Sequence, residues 1–68
     1  MTKKVKYMVE LIQADGWMLD RIRGSHRQFT HPTKPGTVTI AGKSSDDMYP
    51  KMILSILRQA GLTKADLR

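Results

Sequence analysis

The residues with the most chemical promise crowd into one short run of the chain. Arg21, Arg23, His26 and Arg27 flank the pair Gly24-Ser25, and Gln28 follows. An imidazole with an ordinary pKa of about 6.5 can take or give a proton near neutral pH. Guanidinium groups stay charged and present fixed donors to phosphate oxygens. RNA carries its own nucleophile, the 2′-hydroxyl beside each phosphate. Its cleavage needs a group that moves protons and positive charge where the phosphorane builds up, and it needs no metal. His26 and the arginines are of the types that supply both. Residue types alone leave a plainer reading open: a surface histidine, and an arginine paired with Asp20. Ser25 could donate to a phosphate or only fill the turn.

A hairpin must hold these side chains. Gly24-Ser25 is a two-residue turn signal between strands over residues 17–23 and 26–31. Such a turn sets Arg23 opposite His26 and Arg21 opposite Gln28, all on one face by the period of two. Met18, Ile22 and Phe29 then fall on the other face, the expected core, with Asp20 and Arg27 near its margin. Trp17 and Leu19 fall on the polar face, against the pattern. A longer turn, a bulge or a covering partner would each account for that.

Two helices and a third strand complete the pattern. Val5, Met8, Val9 and Ile12 recur at helical spacing within residues 3–14, with Thr2 as a candidate N-cap and Gly16 past the C-terminal end. Pro35-Gly36 suits a type II turn, and residues 37–40 alternate as a strand with Val38 and Ile40 inward. Residues 42–49 read as a polar loop. Ile53, Ile56, Leu57 and Ala60 form a second stripe over residues 50–60, opened by Pro50 and stopped by Gly61-Leu62. Residues 63–66 suit one last capped turn. The order is α-β-β-β-α, an α+β fold with a three-stranded antiparallel sheet and both helices on one face. Trp17 is expected in the core, and Met8, Met18, Met48 and Met52 are expected to fill gaps. Leu54 falls off its stripe and is a candidate protein contact. His31 is expected to be structural.

Bulk properties bound the function. The chain has 68 residues, enough for a single domain over 1–68. Twelve Lys and Arg against six Asp and Glu give a net charge of +6, which attracts a polyanion such as nucleic acid. Eight of those basic residues, against three acidic ones, precede Ser44. Lys3, Lys4 and Lys6 are either solvated charge or contacts to an RNA backbone. The chain has no cysteine, so neither a disulfide framework nor a thiolate metal site is expected, in keeping with a cytoplasmic protein. No export signal and no membrane span are read, and no cofactor or metal is expected.

The run Gly16-Trp17-Met18-Leu19-Asp20-Arg21-Ile22-Arg23-Gly24-Ser25-His26 resembles the opening motif of the HicA family of small toxins. Phe29, His31-Pro32, Pro35-Gly36 and the tail Ser55-Ile56-Leu57-Arg58-Gln59-Ala60-Gly61-Leu62 extend the resemblance in one order from Lys4 to Leu62. It implies a double-stranded-RNA-binding-domain-like fold and metal-independent cleavage of mRNA. It also implies His26 as the required histidine and neutralisation by a HicB-like antitoxin. The RNA contacts then fall to Arg21, Arg23, Ser25, Arg27, Gln28 and Lys4. Ala41-Gly42-Lys43 and Pro50-Lys51-Met52 depart from the family pattern, so no second motif histidine carries over. The alternatives are a non-catalytic RNA-binding module, which would bind RNA without cutting it, and a module whose only partner is the antitoxin.

Overall fold

The structure, a computed structural model, describes residues 2–67. Its elements are β1 (Lys3–Lys4), α1 (Val5–Ala14), β2 (Met18–Arg23), β3 (His26–Thr30), β4 (Val38–Ala41), β5 (Asp47–Met48) and α2 (Pro50–Ala60), followed by a 3₁₀ turn at Lys64–Asp66. The α-β-β-β-α framework is thus present, with a small strand pair added beside it. Strands β2, β3 and β4 form an antiparallel sheet in that order, and β1 pairs with β5.

Each helix buries the stripe its periodicity marks. Val5, Met8 and Ile12 of α1 join Ile53, Ile56, Leu57 and Ala60 of α2 in one core with Trp17, Phe29, Val38, Ile40 and Met48. Full burial of an aliphatic side chain contributes about 1.5–3 kcal/mol, so these residues carry most of the fold's stability. Gly16 and Gly61 take left-handed backbones at the two helix ends. There Trp17 N–H donates to Ile12 O at 3.1 Å and Leu62 N–H to Leu57 O at 2.8 Å, the long bonds of a Schellman stop. Thr63 and Asp66 form the expected capping box.

The start of α1 differs from expectation. Lys4, not Thr2, is the N-cap, and no side chain caps the helix. The first amides are satisfied by the loop instead: Val5 N–H donates to Asp46 O at 3.0 Å and Lys6 N–H to Ser44 O at 3.1 Å. The β1–β5 pairing, Lys3 with Met48 and Lys4 with Asp47, brings those carbonyls into place. The stretch read as a polar loop therefore contains a strand that anchors the chain's beginning.

The sheet has one covered face and one open face. Both helices pack over β4, so β2 lies beyond their footprint and all six of its residues are exposed. Met18 and Ile22, expected in the core, are each 58% exposed, while Phe29 is fully buried. A bulge explains part of this. Arg21 pairs with Gln28, but the next pair is Leu19 with Phe29, leaving Asp20 as the extra residue. The insertion turns Leu19 toward the Phe29 face and Met18 toward the open one. Ile22 keeps its expected face, but no helix covers it. Met52 is also exposed, so of the four methionines only Met8 and Met48 fill core gaps. Leu54 is partly buried against the core and lines a small hollow with Leu67 rather than standing free.

Trp17 is buried, and its indole N–H donates to Ala60 O at 3.3 Å. Lys34 Nζ reaches the same carbonyl at 3.1 Å and Asp15 Oδ2 at 2.6 Å. This knot ties the start of β2 and the β3–β4 connection to the ends of both helices. It is the foundation on which the exposed hairpin stands.

Candidate active site at the hairpin tip

The turn itself is built as its residues dictate. Gly24 has φ +58°, and among the described residues no non-glycine has a positive φ. A left-handed first position and an ordinary second one are the φ pattern of a II′ hairpin turn, which matches the twist of the flanking strands. Arg23 and His26 consequently face each other across the turn, with Arg21 opposite Gln28.

On its other side His26 pairs with Ala41 of β4. The imidazole therefore stands on the open face between a long cation and a methyl group too small to cover it. His26, Arg21, Arg23 and Ala41 are exposed, and Gln28 and Thr39 behind them are half-buried. Such a face admits a polyanionic strand along the line of the sheet and leaves both ring nitrogens of His26 open to it. Arg23 makes no side-chain hydrogen bond or ion pair among the described residues, so its guanidinium is available. Arg21 is partly engaged: its Nε donates to Asp20 Oδ2 at 3.1 Å, the plainer arrangement anticipated for an arginine here.

Arg27 is separated from this group. It pairs with Ile22 on one side and Ile40 on the other, which puts it on the helix-facing side of the sheet. Its Nη2 donates to Ser44 Oγ at 3.2 Å. There it lines a hollow of about 410 Å³ with Ile22, Gly24, Ser25, Lys43 and Ser44. The turn thus carries basic groups on both sides, Arg23 with His26 in front and Arg27 with Lys43 behind. Lys43 was not singled out in the sequence, because only the turn that folds residues 43–46 back brings it here. Asp46 shapes that turn by accepting from Lys43 N–H at 2.9 Å.

Lys4 lies on the separate β1–β5 pair, with its Nζ 2.7 Å from Asp47 Oδ1. The hydrogen bond and the charge of Asp47 hold its pKa above the usual 10.5. The two aspartates of the loop, which would repel phosphate if bare, are both engaged.

The second histidine is committed to structure. His31 Nδ1 accepts from the amides of Lys34 at 3.0 Å and Thr33 at 3.1 Å, so its proton resides on Nε2 and is donated to Asp15 O at 2.7 Å. Its ring meets Trp17 edge-on at 5.1 Å, and its side chain is only 8% exposed. These bonds and this packing agree with the structural role expected for it. Among the described residues no three His, Cys, Asp or Glu side chains gather as a metal site would require.

A three-stranded antiparallel sheet with two helices behind it, and an open basic face in front, defines a small α+β protein of the double-stranded-RNA-binding-domain-like class. The family can be named as well. The family model described as "HicA toxin of bacterial toxin-antitoxin" matches residues 5–62, nearly the whole chain, and the protein belongs to the HicA toxin family. No individually curated protein matches it.

Proposed function

We propose that this toxin is a metal-independent endoribonuclease that cuts mRNA with His26 as its proton-transfer group. The observation that carries the reading is the placement of an exposed imidazole directly across a tight turn from an unengaged guanidinium, on the uncovered face of the sheet. In the reaction the ribose 2′-oxygen attacks the adjacent phosphorus, and the bond to the 5′-oxygen breaks. The products are a 2′,3′-cyclic phosphate and a free 5′-hydroxyl. His26 either takes the 2′-hydroxyl proton or donates one to the departing 5′-oxygen, and solvent on the open face fills the other role. Arg23 neutralises charge on the phosphorane oxygens, and Arg21 contributes through the guanidinium nitrogens that Asp20 leaves unused. Gln28 and Ser25 hold the strand by hydrogen bonds. Arg27, on the other side of the sheet, acts on it through its longer-range field, and Lys4, paired with Asp47, adds little.

A HicB-like antitoxin that covers the hairpin would silence the enzyme by denying RNA this face. A cytoplasmic site of action follows from the substrate.

The test is RNA cleavage in EDTA by wild type and by His26→Ala. The substitution should slow cleavage by roughly 10²–10⁴-fold while leaving the thermal midpoint unchanged, because the ring supports no packing. Cleavage that requires added Mg²⁺, or that persists at full rate in the variant, refutes the mechanism. In cells, induction of the toxin alone should arrest growth, and co-expression of its antitoxin should restore it.

A further inference from the structure

A sizeable concavity lies not at the turn but beside it. An open groove of about 520 Å³ runs past the end of β4, lined by Ala41, Met48, Tyr49, Lys51, Met52 and Ser55 among others. We propose that this groove holds one unstacked base of the RNA strand that crosses His26. Tyr49 is its stacking surface and the Ala41 backbone reads its edge. The inference rests on the RNA-cleaving reading above and adds a base subsite to it.

Continuity with His26 comes first. Ala41 is the direct cross-strand partner of His26. Gly42 N–H donates to Ser25 O at 3.1 Å, so the Gly42 amide points toward β3. Backbone groups alternate along a strand, and the N–H and C=O of Ala41 therefore point the other way, to the free edge of the sheet. Thr39, two residues back, points the same way, and its N–H is already taken by Gln59 Oε1 at 3.1 Å. At the margin of the groove, then, Ala41 offers one donor and one acceptor side by side. Each base presents such a complementary pair on its Watson–Crick edge, which is open only when the base is unpaired.

The chemistry of the walls favours a base over a phosphate. Tyr49 is 65% exposed and Met52 is 52% exposed, and together they offer a flat ring and a polarisable thioether to a flat π-system. Asp46 and Asp47 also line the groove; both are already engaged, by the Lys43 amide and by Lys4, and as carboxylates neither offers a phosphate a donor. Lys51, on the same wall, attracts the backbone that carries the base. A partner protein strand is the competing occupant. Gln59 blocks the edge at Thr39, however, and leaves Ala41 alone, too short a stretch for strand addition.

The experiment uses the full chain and a short 2′-O-methyl RNA in which a single 2-aminopurine is moved along the sequence. This RNA lacks the attacking hydroxyl, so its binding is independent of whether His26 cuts. One position should show fluorescence quenching on binding. Tyr49→Ala should abolish that quenching and weaken binding roughly tenfold, and Tyr49→Phe should restore both. Met52→Glu, which sets a carboxylate against the bound strand, should repeat the loss, with unchanged thermal midpoints confirming that each variant is folded. Wild-type affinity and quenching in both Tyr49→Ala and Met52→Glu overturn the proposal. So does retained RNA affinity combined with loss of antitoxin binding, which makes the groove a protein contact. If cleavage survives His26→Ala while the groove variants still bind poorly, the catalytic reading fails and the base subsite stands.

Discussion

Two arginines one turn apart now have different roles, and position on the sheet decides which. Arg23 shares the open face with His26, whereas Arg27 lies on the opposite side against Ser44. Arg23→Ala should lower kcat at least tenfold, because a donor aimed at developing charge acts mainly in the transition state. Arg27→Ala should change kcat by less than about threefold and act chiefly on KM. Steady-state cleavage of one defined RNA by both variants checks the contrast. The front face was legible from the period of two, and His26 with Arg23 was read correctly as a cross-strand pair. What His31 does was not legible beyond its being structural. Its partner Asp15 meets it only after two chain reversals, and no local spacing marks that meeting, whereas the Thr33 and Lys34 amides reach the ring within its own turn. His31→Ala leaves two amides without an acceptor and should cost roughly 2–4 kcal/mol in a denaturant melt.

At the scale of elements, the helices were readable because a stripe at helical spacing has only one way to be buried. Strand β2 lies where expected, but its burial was not legible, because burial depends on what lies above a strand, and the helices settle over β4. The bulge at Asp20 was one of three open explanations, and only the pairing of Leu19 with Phe29 singles it out. Strand β5 escaped notice because two residues carry no period; its partner, β1, supplies the reason for it. These differences predict where substitutions matter. Gly16 has φ +106°, and a Cβ there would lie 2.7 Å from His31 Nε2. Gly16→Ala should therefore cost at least about 1–2 kcal/mol and lower the thermal midpoint by several degrees. Ile22→Thr, on the uncovered strand, should stay within about 0.5 kcal/mol of wild type. The β1–β5 clamp has a pH dependence of known sign. Asp47 raises the Lys4 pKa, so the pair's contribution is complete below the usual 10.5 and fades as pH rises through the raised value. The difference in thermal midpoint between wild type and Asp47→Asn should therefore shrink as the pH is raised from neutral through that alkaline range.

For the molecule as a whole, the net charge of +6 matters less than where it is free to act. Counterions are released only by cations that come close to phosphates, so the salt dependence of RNA binding counts the engaged charges. The open face offers Arg23 outright and Arg21 in part, and the groove adds Lys51. Lys4 is already neutralised by Asp47 at 2.7 Å. For a single-stranded RNA each engaged phosphate contributes about −0.7 to the slope of log affinity against log salt. A short non-cleavable RNA should therefore give a slope of roughly −1.5 to −2, far shallower than the formal charge implies. Arg23→Gln should reduce its magnitude by about 0.7, while Lys4→Gln, which removes the same formal charge, should leave it nearly unchanged. Equal reductions in the two variants would mean that RNA responds to the summed field of the protein, and that the hairpin face holds no privileged path for the strand.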